Sequence, residues 1–331
     1  MEREQEEMQF LGFFGMVKES FKIIFTWRKI FSQITLALVL PLSFVFLAHI
    51  QVSNFLYYRI HHDERMLNHV PTNSSTHDRL SELITTEKIE YWLLMIAYFV
   101  FLLTLALLST SAIVYTIACI YTGKAVTFQK VMTVVPKVWK RLMVTFAWSF
   151  LLVFCYNIIA FAVIYLMVTT FESGAVLLPC LIIFLILYLT GFVYISVIWH
   201  LASVISVLEE DYGIRAMTKS KMLLKGKMVP AVVIFLLLTL SYFIIQIVFK
   251  IFVVYGFTFA VEIRLVIGTI CLLCLLKLFL FGLVIQTIIY FVCKSYHHEN
   301  IDKSSLSDHL EVYLLAEYIP LKSKDVQLEE I

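Results

Sequence analysis

The sequence predicts an all-α, polytopic membrane bundle of about six transmembrane helices. Three observations predict it. Hydrophobic residues make up 61% of the chain and charged residues only 15%, whereas a soluble domain carries about 25% charged residues. The apolar residues fall in runs long enough for a helix to cross a hydrocarbon core, which takes about 20 residues. Lys and Arg gather on alternate connecting segments, the asymmetry that sets the orientation of a membrane protein.

Six apolar stretches qualify as spans, at about 32–56, 91–121, 142–168, 176–204, 229–249 and 265–293. A bilayer offers no water to backbone N–H and C=O groups, so each run must satisfy them internally as helix. The second, fourth and sixth runs exceed one crossing and are expected to tilt or project. Pro41 falls inside the first span and Pro179 near the start of the fourth; each removes a backbone donor, which predicts a kink. Pro230 opens the fifth span, where a missing N–H costs nothing.

Orientation follows from the connecting segments. Arg3, Lys18, Lys22, Arg28 and Lys29 precede the first span. Lys124, Lys130, Lys137, Lys140 and Arg141 lie between the second and third, and Arg215, Lys219, Lys221, Lys225 and Lys227 between the fourth and fifth. Lys294, Lys303, Lys322 and Lys324 follow the sixth. The other side has Arg59, Arg65, Arg79, Lys88, Lys250 and Arg264, so the balance is 19 against 6. The positive-inside rule then places both termini and the tail 294–331 in the cytosol, in an endomembrane of the secretory pathway or the plasma membrane. Residues 1–293 read as a single transmembrane domain.

The segment 57–90 is expected to be a polar non-cytosolic loop. It carries Asn73-Ser74-Ser75, an N-glycosylation sequon that makes Asn73 the modification candidate. His61, His62, His69 and His77 accompany Asp63 and Asp78 there, but their spacing fits no metal site, and solvated side chains are the expectation. The six cysteines all lie in or beside apolar runs, so no disulfide framework is implied. Cys271 and Cys274 form a C-x-x-C pair inside an apolar helix, which reads as packing. Cys119 and Cys293, near cytosolic span ends, are positions where S-acylation is conceivable. A net charge of +2 gives no reason to expect a nucleic-acid partner.

The three basic cytosolic segments share a pattern. Phe10, Phe14, Val17, Phe21 and Ile24 recur at helical spacing, as do Phe128, Val131, Val135, Val138 and Leu142. The third stripe, Ile214, Met217, Leu224 and Met228, is interrupted by Lys221. A 3.6-residue period places each set on one helix face. Three cytosolic interfacial amphipathic helices are therefore expected, each leading into a hairpin of spans. Their expected partner is the lipid bilayer, with basic residues against anionic lipid headgroups.

The third segment carries Gly213, Ala216, Ser220, Leu223 and Gly226, followed by Lys227. In that register it resembles a loop motif of the polytopic membrane domain that accompanies some bacterial glycerophosphoryl diester phosphodiesterases. Met217 and Lys227 stand where that motif has Leu and Arg. The whole chain also resembles a plant family of six-span membrane proteins without assigned activity, through the N-terminal segment with Pro41 and the stretch Tyr313-Leu314-Leu315-Ala316-Glu317-Tyr318. These resemblances imply a fold and a membrane role, not a reaction; no stretch is long enough for the phosphodiesterase catalytic domain.

Two polar residues stand out inside the spans. Lys277 lies near the middle of the sixth and Asn157 in the third. A Lys at mid-helix costs roughly 2.5–3.5 kcal/mol to insert, and no carboxylate lies in any span core to offset it. An anion or proton site facing the bundle interior is one reading, and a snorkelling Lys the other. Tyr156 and Tyr188 are further polar candidates, His200 is expected to be an interfacial anchor, and Gln246 and Gln286 interhelical hydrogen bonders. No paired acids, nucleophile–base set or metal ligands lie at depth. The expectation is a non-enzymatic, membrane-organising or scaffold protein without a cofactor. The alternative is a transporter of a small or anionic solute.

Overall fold

The computed structural model describes residues 9–70, 74–124, 126–171, 174–256 and 259–297. Asn73 and the tail from 298 lie outside the described residues. Those described form helices joined by short turns. The order is α1 (Phe13–Thr26), α2 (Arg28–Ile34), a π turn at Thr35–Val39, α3 (Leu40–His69), α4 (Ser75–Thr122), α5 (Phe128–Thr170), α6 (Gly174–Leu208), α7 (Ile214–Leu223), α8 (Met228–Phe249), a second π turn at Lys250–Val254, and α9 (Val261–Tyr296). Six of these are long and apolar enough to cross a membrane: α2–α3 taken as one, α4, α5, α6, α8 with its π turn, and α9.

Three antiparallel hairpins, α3–α4, α5–α6 and α8–α9, share one core at the end where the basic segments lie. That core takes Phe31 and Ile34 of α2, Ile113 and Ile117 of α4, and Val131 and Leu142 of α5. It also takes Ala202 and Ile205 of α6, Leu223 of α7, and Tyr290 and Phe291 of α9. Toward the opposite end the hairpins part. The distal halves of α5 and α6 show Phe154, Phe161, Ile183 and Leu187 on the outside, as apolar helices do when lipid is their solvent. A smaller cluster ties Leu47 of α3 to Phe249, Val254 and Leu275 of α8, its π turn and α9.

Pro41 is accommodated by a rearranged turn just before it. The Leu40 N–H donates to the Thr35 carbonyl, five residues back, so the ladder has already widened where proline has no N–H to give. Pro136 and Pro179 lie inside α5 and α6, and Pro230 sits in the first turn of α8.

The segment 57–90 departs from the expected loop. Both helices continue into it, α3 as far as His69 and α4 from Ser75 onward. Ion pairs zip the projecting arms together: Arg59 Nε lies 2.7 Å from Glu87 Oε1, and Lys88 Nζ 2.7 Å from Glu64 Oε1. Ser74 caps α4, its Oγ accepting from the His77 N–H at 3.3 Å. Hydropathy ends a span where polar residues begin, but a helix in a paired coil continues as long as its partner does. Among the described residues no three His, Cys, Asp or Glu side chains converge on one point.

Candidate functional site

The loop motif builds a docking joint. Gly213 has φ +64°, a conformation glycine adopts freely, and its N–H donates to Thr145 Oγ1 at 2.8 Å. Thr145 Oγ1 also lies 2.7 Å from Ser206 Oγ, so one buried hydroxyl ties α5, α6 and the α7 entrance together. Ala216, Ser220 and Leu223 are fully enclosed on the inner face of α7. Ser220 Oγ donates to the Ile198 carbonyl on α6 at 2.8 Å. Gly226, φ +94°, passes under Tyr296, where a Cβ would come within 2.6 Å of the ring. Lys227 holds its Nζ 5.2 Å from the centre of that ring and 3.4 Å from the Leu11 carbonyl.

Ala216, Ser220 and Leu223 of the motif thus face protein, as do Met217 and Leu224 of the apolar stripe, while Ile214 stays exposed. The second segment also packs on protein. Val131, Val135, Val138 and Leu142 are buried in the core, and the segment is the first part of α5 itself. A stripe at helical spacing specifies a buried face without saying whether protein or lipid buries it.

Beside the joint lies a half-buried ionic node. Glu209 Oε1 accepts from Tyr290 Oη and from Lys294 Nζ, each at 2.6 Å, and its Oε2 lies 2.5 Å from Lys219 Nζ. Burial would raise the Glu209 carboxyl, but Lys294, Lys219 and Tyr290 hold it below its ordinary value. The node clamps α6, α7 and α9.

The first segment behaves differently. One face of α1, with Met16, Ser20 and Ile23, is buried. The other leaves Phe14 83% and Phe25 71% exposed, with Phe21 between them stacked at 4.8 Å on Phe281 of α9. Lys18 and Lys22 are exposed on the same side, and Arg28 and Lys29 at its C-terminal end. Of the three segments, α1 keeps the free aromatic and basic face that lipid contact requires.

Between α6, α8 and α9 lies a cavity of about 350 Å³. Aliphatic and aromatic side chains make most of its wall, and His200 and Gln286 also line it. His200 Nδ1 lies 3.1 Å from Gln286 Oε1. His200 is therefore not the interfacial anchor expected from its place in the sequence. Gln286 does bond between helices, whereas Gln246 bonds Tyr242 within α8.

The whole chain, residues 1–331, matches the profile of a family described as Domain of unknown function (DUF8558). The chain belongs to the DUF8558 family. No curated protein and no solved structure matches it, and the family match supports neither the plant family nor the phosphodiesterase membrane domain.

In this DUF8558 protein the two polar span residues do not meet. Lys277 lies on the exposed side of α9, on a face shared with Ile270, Leu273 and Cys274. Asn157 is on α5, and α5 makes no contact with α9 among the described residues. Asn157 is satisfied locally: Nδ2 donates to the Val153 carbonyl at 2.7 Å, and Oδ1 accepts from Tyr188 Oη at 2.9 Å. Lys277 and Asn157 thus stand at two separate positions. Sequence position gives depth along a helix, but a lone polar residue in an all-apolar run carries no phase to say which way it points. Cys119 and Cys293 are fully enclosed, which leaves their thiols no access for acylation.

A consequence follows for Lys277. Replacing it with Leu removes the cost of placing a charge at mid-helix and breaks no bond that holds the bundle. Lys277→Leu is expected to match or exceed the wild type in expression and melting temperature. A lower melting temperature would place Lys277 in a contact that this surface position does not provide.

Proposed function

We propose that the basic end of the bundle faces the cytosol and that the protein organises the lipid of that leaflet without catalysing a reaction. The observation that supports this reading is α1. It is held to α8 and α9 by one face and leaves Phe14 and Phe25 exposed on the other, with Lys18 and Lys22 beside them. Phe rings at this level would enter the acyl-chain boundary, and the cations would meet headgroups. Each Lys or Arg near an anionic surface contributes about 1 kcal/mol, and Arg28 and Lys29 extend the patch. Because α1 is fixed to the bundle, lipid collected beneath it is held at a defined place, which is what a membrane-organising protein must do.

The test is lipid enrichment. The full chain is reconstituted in vesicles of phosphatidylcholine with a minority of phosphatidylserine, then excised with its surrounding lipid by an amphipathic polymer. Phosphatidylserine should exceed its bulk share in the excised discs. Changing Lys18, Lys22, Arg28 and Lys29 together to Gln should return it to the bulk share, and so should high salt. Equal ratios for wild type and variant would refute the reading. Transport of a small or anionic solute has less support, since Lys277 and Asn157 line no common path.

A further inference from the structure

The basic end of the bundle carries a groove of about 680 Å³ along α7, closed at one end by His297 at the end of α9. Its lining joins apolar and basic side chains that the fold leaves over. Ile214 is 53% and Met222 60% exposed there, although the opposite face of α7 fills the core. Arg215 and Lys225 are exposed and pair with no carboxylate among the described residues. Lys219 lies between them, held by Glu209 and Asp211. The lining therefore sets three cations against one carboxylate, Asp211.

The described chain ends in this groove. His297 Nε2 lies 3.1 Å from the Leu223 carbonyl and 3.0 Å from that of Lys225. A carbonyl only accepts, so Nε2 carries the hydrogen and donates to both. These are carbonyls that the end of α7 leaves without a helical partner. The remaining residues, 298–331, thus begin at the groove itself.

Their composition complements its lining. From Ser304 to Leu321 the sequence has Asp308, Glu311 and Glu317 and no Lys or Arg. Leu306, Leu310, Leu314 and Leu315 lie among those acids. A segment tethered by a short link reaches an effective concentration on the order of millimolar. It therefore needs only weak contacts to occupy a neighbouring surface, an advantage that a second copy does not have.

We propose that the segment 304–321 docks in the α7 groove of its own chain, with its leucines over Ile214 and Met222 and its carboxylates against Arg215 and Lys225. The inference stands on this groove and is independent of the reading of α1.

The full chain, with p-benzoylphenylalanine in place of Met222, is reconstituted in phosphatidylcholine nanodiscs, irradiated and mapped by peptide. Position 222 is expected to join a peptide from 304–321, in a product with the mass of one chain. The adduct should persist when phosphatidylserine is added to the discs. Changing Arg215 and Lys225 together to Glu should lower it several-fold, because ion pairs become repulsions. Changing Asp308, Glu311 and Glu317 together to Lys should lower it likewise, and combining the two reversals should restore it. A variant is scored only when it melts as the wild type does, and if one reversal fails to fold the other carries the test. An adduct with lipid in place of the tail, a product with the mass of two chains, a tail adduct that a folded reversal leaves unchanged, or no recovery in the folded combination would each overturn the proposal.

Discussion

Glu209→Ala is expected to lower stability by roughly 1.5–3 kcal/mol, the scale of a hydrogen bond to a charged group, because Lys294 and Tyr290 lose their carboxylate acceptor while Lys219 keeps Asp211. Lys294, with 17% of its side chain exposed, would lose its carboxylate partner and Tyr290 the acceptor for its hydroxyl. Glu209→Gln keeps an acceptor for Tyr290 but does not neutralise Lys294, so it should fall between Ala and wild type. Thermal melting in detergent is the measurement. The same node sets a pH dependence. Its cations hold the Glu209 carboxyl below its ordinary 4.5, so the unfolded chain binds a proton at this position more readily than the folded one. The stabilisation is fully present above pH 4.5 and is lost as the pH falls through the lower folded value. The melting temperature of the wild type should therefore decline on acidification below about 4.5 more steeply than that of Glu209→Gln. Parallel declines would remove the node from the account.

Gly213→Val is the second large effect. A β-branched residue at φ +64° and ψ −131° is strained wherever the space around it, at a cost of roughly 1–3 kcal/mol. Here the space is also taken: a Cβ would sit 3.1 Å from the Trp148 ring and 3.5 Å from Val144. Relieving either conflict moves the N–H that Thr145 accepts, and Thr145 is where α5, α6 and α7 meet. The expected result is a loss at the upper end of that range, with protease cleavage appearing first in the 209–227 segment. Gly213→Ala should show the backbone strain with less of the crowding. Wild-type melting and protection for Gly213→Val would mean that the joint does not depend on this turn.

The sequence made the architecture legible because it is written in bulk hydropathy. Six apolar runs lead to six helices long enough to cross a membrane, and Gly213, Ser220 and Gly226 stood out in a motif that the structure turns into a joint. The burial of that joint was less legible. The period of Val131, Val135 and Val138 identifies a face, but protein and lipid both accept Val, so periodicity could not show that the core would claim it. The projecting arms of α3 and α4 were missed because Arg59, Glu64, Glu87 and Lys88 read as loop residues one at a time and as a zipped pair only when the two strands of sequence are brought side by side. The cavity was not legible at all. His200 and Gln286 are 86 residues apart, and each alone looks like an isolated polar residue in an apolar run.

The claim that α1 lies on lipid can be tested by the accessibility of nitroxide labels placed one at a time at positions 14, 25 and 215 in the reconstituted full chain. Phe14 and Phe25 lie on the exposed face of α1, and Arg215 is exposed on α7. The account predicts that labels at 14 and 25 collide with oxygen, which dissolves in acyl chains, more than with a water-soluble nickel chelate, and that the label at 215 shows the reverse. Labels at 14 and 25 that favour the nickel chelate as strongly as 215 does would put α1 in water and contradict the account.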